Sequence, residues 1–393
     1  MATARRERTV RVILSAAFGG GAFHYAEQLD KRGHLCRWLT SRPDARRWRV
    51  DPTRIRTNVL PEIVERVSRR LPWLRDRVPG AYLKAEMFDG WASRRLSECD
   101  VVVAFADFAL RTLRRAKALG AVTVVERGSA HIRRQKQLLE EEHRRFAGGP
   151  MAMDERLMEK QLLEYEEADY IAVPSTFARD SYVAYGVRAE KLICVPIGVD
   201  LGHFRPAPKT DRTFRILAVA GDLRKGCQYL LDAVRQLKLT DCEVVLFGGA
   251  TPELAPVLSE YRDVYRYIGK LPHRDLYRHY SQGSVFVSPS VEDGWGLVVN
   301  EAMACGLPVI CSENTGARDM VRDGIDGFVV PTRDVGALAD RLGYLYAHAA
   351  EMTAMGRSAL ARVREFTWDR YGEQIASEYQ RVLAIREERG TWS

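Results

Sequence analysis

Short runs of consecutive apolar residues recur along the whole chain, and each run is followed by a turn and a segment with helical spacing. The runs fall at 10–14, 101–105, 122–125 and 170–175 in the first half, and at 215–220, 244–247, 285–287, 309–310 and 327–330 in the second half. Continuous apolar runs of this length are typical of strands buried on both faces of a parallel sheet. The alternation of such runs with helical segments predicts an α/β protein with doubly wound, Rossmann-like sheets.

A short polar linker divides this pattern into two halves. Residues 206–210 contain two prolines, a lysine and a threonine, and they interrupt the series of apolar runs. We therefore predict a first Rossmann-like domain at 1–205, a linker at 206–212 and a second Rossmann-like domain at 213–366. An amphipathic helix is predicted within 367–393. A chain of 393 residues is long enough to build two separate cores.

One stretch concentrates the candidate chemistry, namely residues 288–308, SPSVEDGWGLVVNEAMACGLP. It leads from a buried strand through a turn rich in Ser, Pro, Gly and Asp into a helix that Gly306 and Pro308 end. Free N–H groups and the positive end of a helix make such a turn an anion site. Because Asp293 and Glu301 flank the turn, the pattern suits a ligand with a diphosphate and vicinal hydroxyls, which is a nucleotide sugar.

The same stretch resembles the signature of retaining glycosyltransferase family 4, in which an acidic residue and Gly–aromatic–Gly lead to Glu-Ala-Met-Ala-x-Gly-x-Pro. The matching residues are Asp293, 294–296 and 301–308, and Asp293 stands where the family usually has the longer Glu. The resemblance implies the GT-B architecture, with two doubly wound domains facing across a cleft and a C-terminal helix crossing back to the first domain. It also implies retaining transfer of a hexose-type sugar from a UDP- or GDP-sugar to a glycan, glycolipid or lipid-linked acceptor.

Individual roles follow from this resemblance. Glu301 would accept hydrogen bonds from the ribose hydroxyls, and Asp293 would accept one from a sugar hydroxyl. Lys225, together with Arg224, would stabilise the leaving diphosphate, so that no metal or other cofactor is required. His131 resembles the family's histidine near the transferred sugar, although a histidine at a strand end can also be purely structural. The other residues expected around the donor are Gly20, Gly21, Ile268, Gly294, Trp295, Gly296 and Leu297.

Two other functions are compatible with the same fold. A nucleotide-sugar epimerase would need an acid/base set close to the carbon beside the anomeric centre, and the Asp293–Glu301 pattern argues against it. A catalytically weak binding protein would be expected to have lost the two acids and Lys225, and all three are present.

Charge is distributed unevenly, with a net charge of +14 in residues 1–150 and −6 in the remainder. Because no nucleic-acid-binding module is recognisable, the basic half favours an anionic membrane surface or a negatively charged substrate.

No apolar run approaches the ~20 residues needed to cross a bilayer. Arg11 interrupts the apolar stretch near the N-terminus, which favours a first strand over a secretory signal and predicts a cytoplasmic protein. The seven scattered cysteines, without a C-x-x-C pair, indicate neither disulfides nor a zinc site.

Residues 61–78 are the most unusual part of the basic half. Apolar side chains recur at 63, 67, 71, 74 and 78, while five arginines lie largely on the other face, and Pro72 is expected to break or kink the helix. Such a segment could dock peripherally on the inner face of an anionic membrane, or it could pack its apolar face on the N-terminal core. A second charged run, Glu140 to Glu142, is expected to be a solvated helix face.

Overall fold

Two separate parallel β-sheets, one in each half of the chain, form the framework of the protein. The computed structural model describes residues 9–18, 21–70, 80–147, 151 and 153–390. Within this part of the chain, every pair of neighbouring strands in the two sheets runs parallel. This arrangement confirms the predicted α/β class.

The first sheet lies before the predicted linker. Its strands are β1 (Val12–Ser15), β2 (Leu35–Thr40), β3 (Ile55–Thr57), β4 (Val101–Phe105), β5 (Val122–Glu126), β6 (Tyr170–Val173) and β7 (Leu192–Cys194). The helices described in this half are α1 (Gly21–Lys31), α2 (Leu60–Arg70), α3 (Gly80–Ser93), α4 (Leu110–Ala118), α5 (Ile132–Phe146), α6 (Glu155–Glu167) and α7 (Thr176–Ala184).

The second sheet follows the linker. Its strands are β8 (Phe214–Val219), β9 (Cys242–Phe247), β10 (Arg266–Tyr267), β11 (Val285–Ser288), β12 (Val309–Ser312) and β13 (Gly327–Val330). The helices of this half are α8 (Cys227–Leu237), α9 (Ala255–Glu260), α10 (Leu276–Tyr280), α11 (Leu297–Ala304), α12 (Val335–Ala347), α13 (Ala349–Arg362) and α14 (Trp368–Gly390). Short 3₁₀ turns at Leu223–Lys225 and Gly316–Asp319 lie close to the candidate site.

The strand order of each sheet creates a crevice. The orders are β3-β2-β1-β4-β5-β6-β7 and β10-β9-β8-β11-β12-β13, so the direction of winding reverses between β1 and β4 and between β8 and β11. Loops that leave the carboxyl ends of the strands diverge at such a reversal, and doubly wound sheets bind ligands there. The Lys225 loop follows β8 and the Asp293 loop follows β11, so the fold brings the two predicted loops to one crevice.

The last helix belongs to the first core. Helix α14 packs on α1 and on the first sheet, where Tyr371, Ile375 and Tyr379 are buried in the same cluster as residues of β1, β4 and β5. Lys31 Nζ lies 2.5 Å from Asp369 Oδ1 and ties the two helices at their exposed edge. The helix therefore crosses back to the first half, as predicted.

The two halves are also joined by polar contacts far from the linker. Glu142 on α5 is fully buried and accepts hydrogen bonds from Gln228 Nε2 (3.0 Å) and Tyr229 Oη (2.9 Å) of α8. Arg333 bridges Glu141 and Glu142 from the second half. The expectation of a solvated face at 140–142 is therefore wrong, because two of these carboxylates are partners of groups across the interface.

Candidate active site

A cavity of about 380 Å³ lies where the two crevices face each other. Its volume falls in the range of small-molecule sites. Residues from both sheets and from α14 line it: Phe18, Gly21, Tyr25, Phe105, Ala106, Asp107, Glu126, Arg127, Gly128, Ser129, Ile197, Lys225, Asp293, Trp295, Gly296, Leu297, Val298, Trp368 and Tyr371. Six of the predicted site residues are therefore brought together, namely Gly21, Lys225, Asp293, Trp295, Gly296 and Leu297.

Lys225 and Asp293 form the charged centre of the cavity. Lys225 Nζ lies 2.5 Å from Asp293 Oδ2, and both side chains are largely buried. The backbone turns sharply after Lys225 because Gly226 has a φ of +72°, and a Cβ at this position would lie 2.0 Å from Pro289 O. Glycine is needed here so that the Lys225 loop can lie against the loop after β11.

The Asp293 carboxylate also organises the start of α11. Its Oδ1 accepts hydrogen bonds from the amides of Trp295 (3.4 Å) and Gly296 (3.1 Å). Burial alone would raise the pKa of Asp293, but Lys225 and Arg224 hold it below its usual value, so the group is ionised at neutral pH. Two of the amides expected to bind a diphosphate are thus used internally, and Leu297 N–H and Val298 N–H are the next amides at the cavity.

Glu301 and Ile268, the residues predicted to hold the ribose and the base, both belong to the second half. Tyr280 Oη donates to Glu301 Oε2 at 2.8 Å, and burial raises the pKa of Glu301 to about 7 against the opposing effect of this hydrogen bond. Ile268 N–H donates to Leu246 O at 2.9 Å, so a nucleobase would have to use the Ile268 carbonyl oxygen. Neither residue lines the cavity itself.

Arg224 is turned away from the cavity lining, unlike Lys225 beside it. Its Nη1 donates to Glu292 O (3.2 Å) and lies 3.6 Å from the fully buried Glu292 carboxylate. That carboxylate also accepts from Ala130 N–H and Gln135 Nε2, both at 2.9 Å, and so connects the two halves. Glu292 therefore holds the Arg224 guanidinium at the interface between the two halves.

His131 also lies outside the cavity lining. It is only 3% exposed, its Nδ1 caps the start of α5 by accepting from Arg133 N–H, and its ring stacks on Tyr185 with centroids 4.7 Å apart. Burial, with smaller effects from Arg133 and Arg127, lowers the pKa of His131 to about 4. The neutral ring therefore has a structural role at the start of α5, and the predicted contact of His131 with the sugar stays a prediction.

The loops after β5 and β11 meet at two glycines. A Cβ on Gly294 would lie 2.0 Å from Gly128 O, so the close approach of the two halves depends on glycine at this position. Ser175 Oγ donates to Gly294 O at 2.6 Å from the first half. Gly21 at the start of α1 lines the cavity, whereas Gly20 lies outside the described residues.

Sequence reasoning assigned no role to three residues of the cavity with ionisable side chains, namely Asp107, Glu126 and Arg127. Asp107 has a φ of +77°, and buried Glu164 holds its loop by accepting from Asp107 N–H at 2.8 Å. Glu126 ends β5 and Arg127 follows it. The signal that could have found them is position, because each comes directly at or after the carboxyl end of a central strand.

The described residues form no recognisable metal site. Among the described residues, no group of three or more His, Cys, Asp or Glu side chains is arranged to hold a metal ion. The seven cysteines are all free thiols, and Cys99, Cys227, Cys305 and Cys311 are buried.

Known structures share this architecture across nearly the whole chain. Sucrose-phosphate synthase from Thermosynechococcus elongatus superposes with a TM-score of 0.69 at 20% identity, covering 96% of this chain and 100% of that chain. HepE of Anabaena in complex with UDP superposes with a TM-score of 0.67 at 16% identity, covering 94% and 99%. Together with the facing crevices, these likenesses define the fold class: the protein is a GT-B protein with two Rossmann-like domains.

Sequence comparison then identifies the family. Residues 21–203 match the family described as "Glycosyltransferase Family 4", and residues 214–348 match the family described as "Glycosyl transferases group 1". The chain belongs to glycosyltransferase family 4. It is 29% identical over 252 residues to a D-inositol 3-phosphate glycosyltransferase of Xylanimonas cellulosilytica. That match covers 58% of this chain and 60% of the relative, so the chain spans little more than half the length of that protein.

Proposed function

We propose that this protein transfers a hexose-type sugar from a nucleotide diphosphate sugar to an acceptor, with retention of the anomeric configuration. The observation that carries the proposal is the Lys225–Asp293 pair, placed in a cavity between the crevices of both sheets. A cation, a carboxylate and the first amides of α11 are together suited to a diphosphate joined to a sugar. The solved neighbour with bound UDP supports this choice of donor, and the relative named as a D-inositol 3-phosphate glycosyltransferase supports glycosyl transfer.

In the proposed reaction, the bond from the anomeric carbon to the diphosphate oxygen breaks while the acceptor oxygen attacks on the same face. The proton of the acceptor hydroxyl moves to the leaving diphosphate, so no protein nucleophile is needed. Lys225 Nζ would exchange Asp293 for a phosphate oxygen when the donor binds, which frees the Asp293 carboxylate to accept from a sugar hydroxyl. Leu297 N–H and Val298 N–H would share the growing negative charge of the leaving group.

The nucleoside would be held mainly by the second half. Glu301 would accept from the ribose hydroxyls, and it already accepts from Tyr280 Oη, which fixes the orientation of its carboxyl group. The Ile268 carbonyl would bind the base. Gly21 would allow the backbone at the start of α1 to approach the donor from the first half.

A panel of UDP- and GDP-sugars tests the donor assignment, first by thermal stabilisation and then by slow hydrolysis. We expect one or a few members to raise the melting temperature and to release the free sugar with its starting anomeric configuration. Lack of stabilisation by every member would contradict the proposal, and recovery of an epimerised nucleotide sugar would identify an epimerase instead.

Metal independence is part of the same proposal, because Lys225 and the α11 amides would neutralise the diphosphate. Hydrolysis of the selected donor should continue at an unchanged rate after EDTA treatment. Activity that disappears with EDTA and returns with magnesium or manganese would show that a metal neutralises the diphosphate.

For the acceptor, we propose a lipid-linked molecule reached by docking of α2 on an anionic membrane surface at the cytoplasmic face. Leu60 (52% exposed), Ile63 (50%) and Val67 (47%) form an exposed apolar stripe along one side of α2. Exposed Arg56 and Arg66 accompany them in the basic half of the chain. Each basic residue near an anionic surface contributes about 1 kcal/mol, which suits reversible binding. Residues 71–78 lie outside the described part of the chain.

No helix in the described ranges is both long enough and apolar enough to cross a bilayer. Co-sedimentation with anionic and neutral vesicles, at low and high salt, therefore tests peripheral docking. The variant I63Q/V67Q should lose binding to anionic vesicles, while V183Q should retain it, because Val183 is 46% exposed on α7, a different helix. Absence of binding by the parent, together with transfer to a water-soluble acceptor such as inositol 3-phosphate, would refute the membrane proposal.

A further inference from the structure

One carboxyl group in the cavity has no role in the proposed reaction. Glu126 is the last residue of β5 and is only 8% exposed, and its Oε2 atom is buried without a hydrogen-bond partner among the described residues. Burying a polar oxygen without a partner is costly, so such atoms in folded proteins usually have an explanation. The cavity supplies one, because Glu126 is among the residues that line it.

The surroundings of Glu126 leave it available to a ligand. Its side chain points to the same face of the sheet as Val122 and Val124, where Phe105, Tyr25 and Tyr371 are packed. Burial raises the pKa of Glu126 to about 8. Its neighbour Arg127 donates to Gln135 Oε1 at 2.7 Å instead. The carboxyl group is therefore mostly protonated at neutral pH and can both donate and accept a hydrogen bond.

The position of Glu126 relative to Asp293 indicates which part of a ligand it would meet. Two residues after Glu126, the carbonyl of Gly128 packs against Gly294, which directly follows Asp293. The two carboxyl groups thus border one cavity, Glu126 from the first half and Asp293 from the second half. A group with several hydroxyls, bound at Asp293, would bring one of them toward the strand end of β5.

We propose that Glu126 is a positioning residue that hydrogen bonds a hydroxyl of the transferred sugar, on the side of the sugar opposite Asp293. This inference rests on the proposed function, since it requires a nucleotide sugar in the cavity. It assigns to the first half a direct part in holding the donor, in addition to receiving the acceptor.

The test compares the parent with Glu126→Gln and Glu126→Leu, using calorimetry with the donor selected by the panel and with the same nucleotide diphosphate without its sugar. All three proteins should bind the nucleotide diphosphate equally, because its contacts lie on the second half. Glu126→Leu should bind the nucleotide sugar roughly tenfold more weakly than the parent, the effect of one lost hydrogen bond. Glu126→Gln, which keeps a donor and an acceptor, should remain within about threefold of the parent.

The thermal midpoint separates this role from a structural one. Removing an unsatisfied buried carboxyl should leave the midpoint of Glu126→Leu equal to or above that of the parent. Equal binding of the nucleotide sugar by Glu126→Leu and the parent would overturn the inference, as would equal losses for the sugar-bearing and sugar-free nucleotides. A parent that binds no nucleotide sugar would instead contradict the proposed function.

Discussion

The Glu126→Gln variant should be more stable than the parent at alkaline pH. This advantage should become smaller as the pH is lowered. Burial raises the pKa of this carboxyl from 4.5 to about 8. Below pH 4.5 the group is mostly protonated in both the folded and the unfolded chain, so it adds no pH dependence to the stability. As the pH rises toward 8, the unfolded chain loses the proton while the folded chain retains it, and the stability of the parent falls throughout this window.

The size of the effect follows from the pKa difference. Each pKa unit corresponds to about 1.4 kcal/mol, so the difference sets an upper limit of about 5 kcal/mol above pH 8. Water entering the cavity would reduce this value, and we expect at least about 1 kcal/mol to remain. The titratable and charged groups that face the same cavity are Tyr25 on α1, Tyr371 on α14, and Asp107, Arg127, Lys225 and Asp293 on loops.

The measurement is the free energy of unfolding in urea, or the thermal midpoint, for the parent and Glu126→Gln at pH 5 and pH 8.5. Buried Glu164 and Glu301 also have raised pKa values, about 8 and about 7, but both proteins contain them and the comparison removes their contribution. We expect a small advantage for the variant at pH 5, where the unfolded carboxyl has begun to ionise, and a clearly larger one at pH 8.5. A difference that is the same at both pH values would refute the reasoning, because it would mean that Glu126 titrates normally.

Three further predictions concern the proposed donor site. Lys225→Ala should lower kcat for the selected donor by roughly 10²–10³-fold and change donor affinity much less, because Lys225 acts on charge that develops as the sugar leaves; an unaltered kcat with only a raised KM would contradict this. Nucleotide affinity measured by calorimetry should rise between pH 6 and pH 8 as Glu301, with a pKa of about 7, ionises. The Glu301→Gln variant should show no such rise. A rise that persists in this variant would contradict the proposed contact of Glu301 with the ribose. Gly294→Ala should weaken donor binding by about 1–3 kcal/mol, because its Cβ would meet Gly128 O at 2.0 Å and push the halves apart. Gly128→Ala is the matched control, since a Cβ there has open space, and equal effects of the two substitutions would refute the argument.

Much of the fold was predictable from the apolar runs. Central strands such as β4, β5 and β11 are buried on both faces and therefore read as continuous hydrophobic segments. Strands β2, β3 and β7 were not identifiable in this way, because β2 carries an arginine and a cysteine that are not buried, and β3 and β7 are three residues long. Pairing with neighbouring strands in the sheet, and not the local pattern, fixes these three strands.

The candidate site was predictable where one loop carried several functional residues. Asp293, Trp295, Gly296 and Lys225 line the cavity, as their positions after strands predicted. Arg224 and His131 do not line the cavity, and the sequence could not show this because their surroundings come from distant parts of the chain: Glu292 holds the arginine, and Tyr185 stacks on the histidine. The burial of Glu126 likewise depends on α1 and α14.

Because α14 packs on the first half, the first half cannot complete its core until α14 has been synthesised. The buried cluster beneath β1, β4 and β5 is completed by residues 371–383, which leave the ribosome only after the whole second half has been synthesised. Domains generally fold in order during synthesis, but here the first-made sheet keeps an uncovered apolar face until the last helix arrives. Loss of the C-terminal segment should therefore expose the N-terminal core to aggregation and to cellular proteases, even though every residue lining the crevice of the second sheet would still be present.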